Sequence, residues 1–227
     1  MQRKPWKKYK QVRELVDSLK KYSFEEGVSL AKKSSYTKFV GSMEIHIKTS
    51  ADPKYNDQMI RGTVVLPNGI GKVVKVAAFV SDDKVEEAKK AWAEIVWNEL
   101  LLKDIENGKI EFDVLITTGD MMRDLAKAAK ILWPRGLMPS PKAGTVTNNI
   151  KQTIEEIKKW RVEFKLDKTG NIHTIVGKLD FDDAKLIENI QALLKAIEEA
   201  KPAWVKWKLF KKVSIAPTMG PWVTLDC

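Results

Sequence analysis

The apolar residues of this chain follow two different rules, and the change of rule constrains the fold more than any other feature. Met43–Thr49 (MEIHIKT) alternates apolar with polar side chains, the period-two pattern of a strand with one face buried and one in water. Val73–Val80 (VVKVAAFV) is almost continuously apolar, the pattern of a short strand covered on both faces. After Trp160 the alternating style returns. A chain that switches rule and switches back implies two sheets of different kinds, the first interrupted by the second.

The flanking elements agree with this division. In the outer segments, helices are expected over Tyr9–Leu19 and Phe24–Lys33, the second opened by a capping box of Ser23 and Glu26. A strand at Gly62–Leu66 ends at Pro67. In the middle, helices over Lys84–Ala91, Asp120–Leu132 and Asn148–Lys159 alternate with strands at Val73–Val80 and Ile110–Thr117, which argues for βαβ units and a parallel sheet. Beyond Trp160, strands Val162–Leu166 and His173–Val176 flank a turn at Asp167–Asn171. A helix over Asp182–Ala200 carries Leu186, Ile190, Leu193, Leu194 and Ile197 on one stripe. Strands Leu209–Ile215 and Trp222–Leu225 then surround a TMGP turn. The simplest architecture is a split α+β domain, residues 1–67 with 160–227, carrying an inserted α/β domain, residues 68–159, with a Rossmann-like parallel sheet. Two connecting strands form the hinge, at Pro67 and at Lys159–Trp160.

Composition narrows the partners. The chain has 227 residues with 44% apolar and 31% charged side chains, within the range of globular proteins. No apolar run approaches the ~20 residues of a membrane span, and the basic N-terminal arm lacks the apolar stretch of a secretory signal. A single cysteine, Cys227, allows no internal disulfide and suits a reducing, cytoplasmic setting. The net charge of +10 is unevenly placed: residues 1–66 carry 14 basic against 7 acidic side chains, residues 67–159 carry 15 against 14, and residues 160–227 carry 11 against 9. Excess positive charge at the two ends points to a polyanion bound by the outer domain, with solubility charge as the bland alternative.

Enzyme chemistry is hard to find. Gly69–Lys72 (GIGK) glances at a phosphate-binding loop, but Leu66 stands where its first glycine belongs and Val73 where its hydroxyl belongs. His46 and His173 lie in separate strands, so no metal-ligand spacing exists, and neither a cofactor nor a metal is expected. The acidic pairs Glu86–Glu87 and Glu155–Glu156 fall on exposed helix faces. The competing class is a nucleotide-binding enzyme built on the α/β insert.

RNA recognition has better support. Irregular RNA is read by apolar platforms beside hydrogen-bonding groups, with Lys and Arg on phosphates. Thr37–Glu44 (TKFVGSME) offers Lys38, Phe39, Ser42 and Glu44 in those roles. Thr218–Gly220 offers a hydroxyl, a thioether and a glycine that permits close backbone approach. Phe39 and Met219 equally suit a core. Arg61–Lys72 (RGTVVLPNGIGK), Ile131–Thr147 (ILWPRGLMPSPKAGTVT) and Thr218–Pro221 (TMGP) together resemble the signature segments of the large-subunit ribosomal protein L-one family, nearly collinearly from Lys8 to Asp226. The resemblance implies the hinged two-domain plan and a structural role without catalysis. It implies binding to the mobile stalk of large-subunit rRNA beside the tRNA exit site, assistance to release of deacylated tRNA, and repression of the protein's own operon mRNA. No membrane and no obligate protein oligomer enter that picture. Its rRNA contacts map onto Lys38, Phe39, Ser42, Glu44, Thr218, Met219 and Gly220, with Lys165, Lys168 and His173 as additions from the segment EFKLDKTGNIH. Truncating Thr218 or Met219 is then expected to weaken RNA binding and leave stability unchanged. Ala216 and Pro217 depart from the hydroxyl residues common there in the family, and Gly119 from its usual proline.

The eight tryptophans, Trp6, Trp92, Trp97, Trp133, Trp160, Trp204, Trp207 and Trp222, fit poorly. Trp92 ends a helix where a left-handed glycine is the common stop, and Trp222 follows a Gly-Pro turn. By the resemblance, all eight stand at positions that usually hold glycine. One cause would account for all of them: UGA codons that encode glycine in the source but are read here as Trp. The alternative is a Trp-rich variant using Trp204 and Trp207 as surface anchors.

Overall fold

The computed structural model describes residues 7–17, 19–72, 74–81, 85, 95–96, 105, 110–141, 144–158, 161–202 and 208–226. In chain order the elements are α1 (Lys7–Arg13), α2 (Phe24–Lys33), β1 (Ser42–Thr49), β2 (Arg61–Val65), β3 (Val76–Phe79), β4 (Ile95–Val96), β5 (Val114–Thr117), α3 (Met122–Leu125), α4 (Ala129–Leu132), α5 (Ile150–Lys158), β6 (Arg161–Lys165), β7 (Asn171–Lys178), α6 (Asp183–Glu199), β8 (Phe210–Pro217) and β9 (Val223–Leu225). The chain divides into two compact units, Met1–Gly71 with Val162–Cys227, and Lys72–Arg161.

In the discontinuous unit, β7, β1, β8 and β9 form an antiparallel sheet in that order, and β2 pairs with β6. The alternation read in β1 is realised: Met43, Ile45 and Ile47 are fully buried, while Ser42, Glu44, His46 and Lys48 share the other face. Beneath the buried face lies a core closed by α2 and α6. Leu186, Ile190, Leu193 and Ile197 of α6 are all at zero exposure, so the apolar stripe is the helix's packing surface. Helix α2 starts where Ser23 Oγ accepts the Glu26 backbone N–H at 3.3 Å, as the capping box requires.

Helix α1 stops at Arg13 instead of continuing to Leu19. Leu15 and Leu19 are 58% and 92% exposed, and in the predicted extension only Val16 is buried in the core, too little apolar surface to hold further helical turns. Asp17 ends the segment by accepting the Leu19 N–H at 2.9 Å.

In the continuous unit β3 pairs in parallel with β4 and β5. Its residues alternate between two cores. Val76, Ala78 and Val80 meet Ile150, Ile154 and Ile157 of α5, and Ala77 and Phe79 meet Leu125, Ala128 and Leu132. A strand covered on both faces must be apolar throughout, which is why this stretch shows no alternation. The single helix expected over Asp120–Leu132 is broken into α3 and α4 by a 3₁₀ turn at Ala126–Ala128. Lys84–Ala91 falls, apart from Val85, outside the described residues, as do Lys159 and Trp160 of the expected hinge.

Candidate nucleic-acid interface

The turn after β8 is built by Thr218. Its backbone N–H reaches the Ser42 carbonyl at 2.9 Å, its Oγ1 accepts the Ser42 N–H at 2.8 Å, and the same hydroxyl donates to the Ser42 carbonyl at 3.1 Å. The side chain expected to face a ligand is thus spent on clasping the start of β1 to the end of β8. Its truncation carries a structural cost that the sequence did not reveal.

Next to this clasp Met219 stands 62% exposed with φ at 64°, in the left-handed region that disfavours a Cβ. A side chain held exposed in a strained conformation lacks a packing reason for its place, which removes the core reading. Gly220 follows for steric reasons. A Cβ there would lie 2.4 Å from Pro217 Cγ and 3.3 Å from the Ser34 carbonyl oxygen, so this glycine admits the chain's own turn.

Phe39 and Val40 are 58% and 56% exposed, in a loop where Thr37 Oγ1 donates to the Phe39 carbonyl at 3.0 Å. The core reading of Phe39 therefore fails as well. The loop re-enters the sheet at Gly41, whose carbonyl accepts the Leu179 N–H at 3.0 Å and whose Cα lies against Thr218. Register places Lys178 opposite Ser42, and Lys178 Nζ donates to Ser42 Oγ at 3.2 Å. Lys178 went unremarked in the sequence because only strand pairing brings it here. Ser42, Lys178, Thr218, Met219 and Gly220 thus share one end of the sheet, reached by the exposed Lys38–Phe39 loop.

Glu44 lies one step further along the open face, between Ile175 and Ala216. Ala216 offers no hydroxyl and Pro217 is buried, so that row has no polar group on β8. Beyond it, His46 and His173 are direct partners across β1 and β7. Their Nδ1 atoms are 2.9 Å apart and their ring centroids 5.0 Å apart, a contact not foreseen from two strands distant in sequence. Burial holds the His46 imidazole below its ordinary range, His173 adds to the effect, and Glu44 opposes it.

Lys168 sits exposed in the turn beyond His173, and Lys165 is exposed on β6, outside the four-stranded sheet. These two are not gathered with the Phe39–Met219 end. The turn itself is closed by hydrogen bonds onto Asp167. Burial raises the Asp167 carboxyl, but hydrogen bonds from Thr169 Oγ1 and from the Asn171 and Thr169 backbone N–H groups, with His173 nearby, outweigh it and bring the pKa down to about 2. A shallow cleft of about 300 Å³ crosses this part of the sheet, lined by His46, Lys48, Asn171, His173, Lys212, Ser214 and Trp222 among others.

The Gly69–Lys72 loop is committed elsewhere. Asn189 of α6 accepts the Asn68 N–H at 3.1 Å and donates to the Gly69 and Val176 carbonyls at 2.9 Å each. These bonds fix the start of the loop to α6 and β7. Among the described residues no cluster of three or more His, Cys, Asp or Glu side chains could hold a metal. Nor, among them, is any helix long and apolar enough to cross a membrane.

The sequence profile of the ribosomal protein L1p/L10e family matches residues 31–221. Among similar proteins, the large ribosomal subunit protein uL1 of Kosmotoga olearia is 48% identical over 220 residues, covering 97% of this chain and 95% of its own. That of Thermosipho africanus is 49% identical over 221 residues with the same coverage. The uL1c protein of Phaeodactylum tricornutum is 48% identical over 204 residues, covering 90% of this chain and 89% of its own.

Proposed function

The chain belongs to the ribosomal protein L1p/L10e family, and from that premise we propose that it is a structural, non-enzymatic constituent of the large ribosomal subunit. It binds the stalk of the subunit's rRNA through the end of the sheet where Phe39, Ser42, Lys178, Thr218 and Met219 meet. The observation that carries this reading is the pair of exposed apolar side chains, Phe39 and Met219, the latter directly after the Thr218–Ser42 clasp. Apolar platforms beside Lys38 and Lys178 suit unstacked bases flanked by phosphates. In this reading the protein works on the cytoplasmic ribosome, touches exit-site tRNA and assists its release, and represses its own operon mRNA through a similar RNA fold.

Binding to an rRNA stalk transcript tests the core of the proposal. Log affinity is expected to fall with log salt by about 0.7–0.9 per phosphate neutralised. The looped stalk RNA is expected to bind more tightly than plain duplex of equal length, because a duplex hides the base faces that Phe39 and Met219 would meet. Equal affinity for the two would leave only a generic polycation and defeat the site assignment.

A further inference from the structure

The open face of the β7-β1-β8 sheet has a second end. About six residues along β1 from Ser42, roughly 20 Å at strand rise, Lys48 is paired with Lys212 on β8 and Asn171 on β7. The neighbouring row is His173, His46 and Ser214, and the shallow cleft joins the two rows.

The histidine geometry has a chemical consequence. At 2.9 Å between Nδ1 atoms, one ring donates a proton and the other accepts it. In a neutral pair the donor ring then has no proton left for its Nε2. Yet each Nε2 faces a carboxylate: Glu44 Oε2 lies 3.9 Å from that of His46, and Asp167 Oδ2 lies 3.5 Å from that of His173. The pair therefore has a place for one more proton, whose charge would lie 3.5–3.9 Å from a carboxylate on either side while keeping the Nδ1 contact. Lys48 on β1 and Lys212 on β8 oppose that proton, and Glu44 on β1 and Asp167 in the turn favour it. Burial of the His46 ring favours its neutral form in the free protein. An anion seated between the lysines and the rings reverses this balance.

We propose that this end of the sheet is a second RNA-backbone subsite, in which Lys48 and Lys212 hold a phosphate and the His46–His173 pair takes up one proton as the phosphate seats. The proposal rests on the rRNA reading above and extends it by residues and by mechanism. No covalent step is involved: the proton comes from solvent and goes to an imidazole Nε2. Uptake on binding means that affinity rises as pH falls through the range between the free and bound pair, by at most about tenfold per pH unit for one proton.

The test is calorimetric titration of the full chain with the rRNA stalk transcript, at about pH 7 in two buffers of different ionisation heat, with affinity followed from about pH 8 to 6. Wild type is expected to take up a measurable fraction of one proton and to bind more tightly at the acid end. The double variant H46Q/H173Q, checked as folded by its thermal unfolding, is expected to take up none and to lose the pH slope. H173Q alone serves if the double variant does not fold. K48Q/K212Q is expected to lower the salt slope by about one phosphate equivalent. Proton uptake that is absent in wild type, or unchanged in the histidine variants, overturns the proposal, as does an unchanged salt slope in the lysine variant. If the wild-type chain binds no stalk RNA at all, the functional reading itself fails and this subsite falls with it.

Discussion

Met219 holds a Cβ in the left-handed region at a cost of about 1–2 kcal/mol while its side chain stands 62% exposed. Met219→Gly should therefore raise unfolding stability by up to about 1 kcal/mol, strain relief being partly offset by glycine's greater freedom when unfolded. The same change should weaken binding to the stalk RNA. Thermal unfolding and RNA titration of one preparation check both, and a loss of stability would return Met219 to a packing role. Thr218 behaves in the opposite sense. Thr218→Val keeps the branched shape but removes both side-chain bonds to Ser42, and should lower stability by about 1–3 kcal/mol. Composition and the TMGP motif marked both residues, but not which of the two holds the turn and which is presented by it. That distinction depends on a partner 176 residues away in sequence. The tryptophans belong to the same scale. Of the eight, only Trp133 and Trp222 lie among the described residues, and they are 74% and 46% exposed. Trp133 has φ −62° and ψ −50°, so its backbone does not itself require glycine, and exposure is the argument there. If UGA encodes glycine in the source, the mass of protein isolated from that source should be lower by the Trp–Gly difference at every site. A mass matching the sequence as written would end the idea.

At the level of elements, Asn189 is the polar exception on the buried side of α6, with zero exposure among Leu186, Ile190 and Leu193. It survives there because every polar atom is used: the carboxamide joins α6 to the Asn68–Gly69 turn and to β7. Asn189→Leu should cost about 2 kcal/mol or more, since it strands the Gly69 and Val176 carbonyls and the Asn68 N–H in the interior. Denaturant unfolding measures this, and a neutral result would mean that water or backbone shifts replace the amide. The amphipathic stripe of α6 was legible from spacing alone, and so was the start of α2, because both signals are local. The end of α1 and the break between α3 and α4 were not. Those boundaries depend on whether an apolar face finds something to cover it, and Leu15 and Leu19 find nothing. Local rules likewise could not show that β1 brings His46 to His173, or Lys178 to Ser42. Register is decided by which faces are buried, and it then carries the outward residues along with it.

On the scale of the whole molecule, one core lies entirely in Met1–Gly71 with Val162–Cys227, and two others lie entirely in Lys72–Arg161. The charge excess follows the same division: residues 67–159 carry 15 basic against 14 acidic side chains, so nearly all of the +10 lies outside them. Every residue of the proposed RNA face is also in the discontinuous unit. Its two cut ends are Gly71, beyond the end of β2, and Val162 in β6, and β2 and β6 are paired strands of this unit. A flexible Gly-Ser linker that leads the chain from Gly71 back to Val162 adds only a slowly growing loop-closure cost with its length. Such a chain should unfold in a single cooperative transition and keep most of the affinity and salt slope of the full protein for the stalk RNA, because neither the core nor the phosphate-facing lysines have been removed. Circular dichroism and RNA titration of the shortened chain decide the matter. A folded product that no longer binds would move recognition to the continuous unit, and would show that the exposure of Phe39 and Met219 serves some other contact.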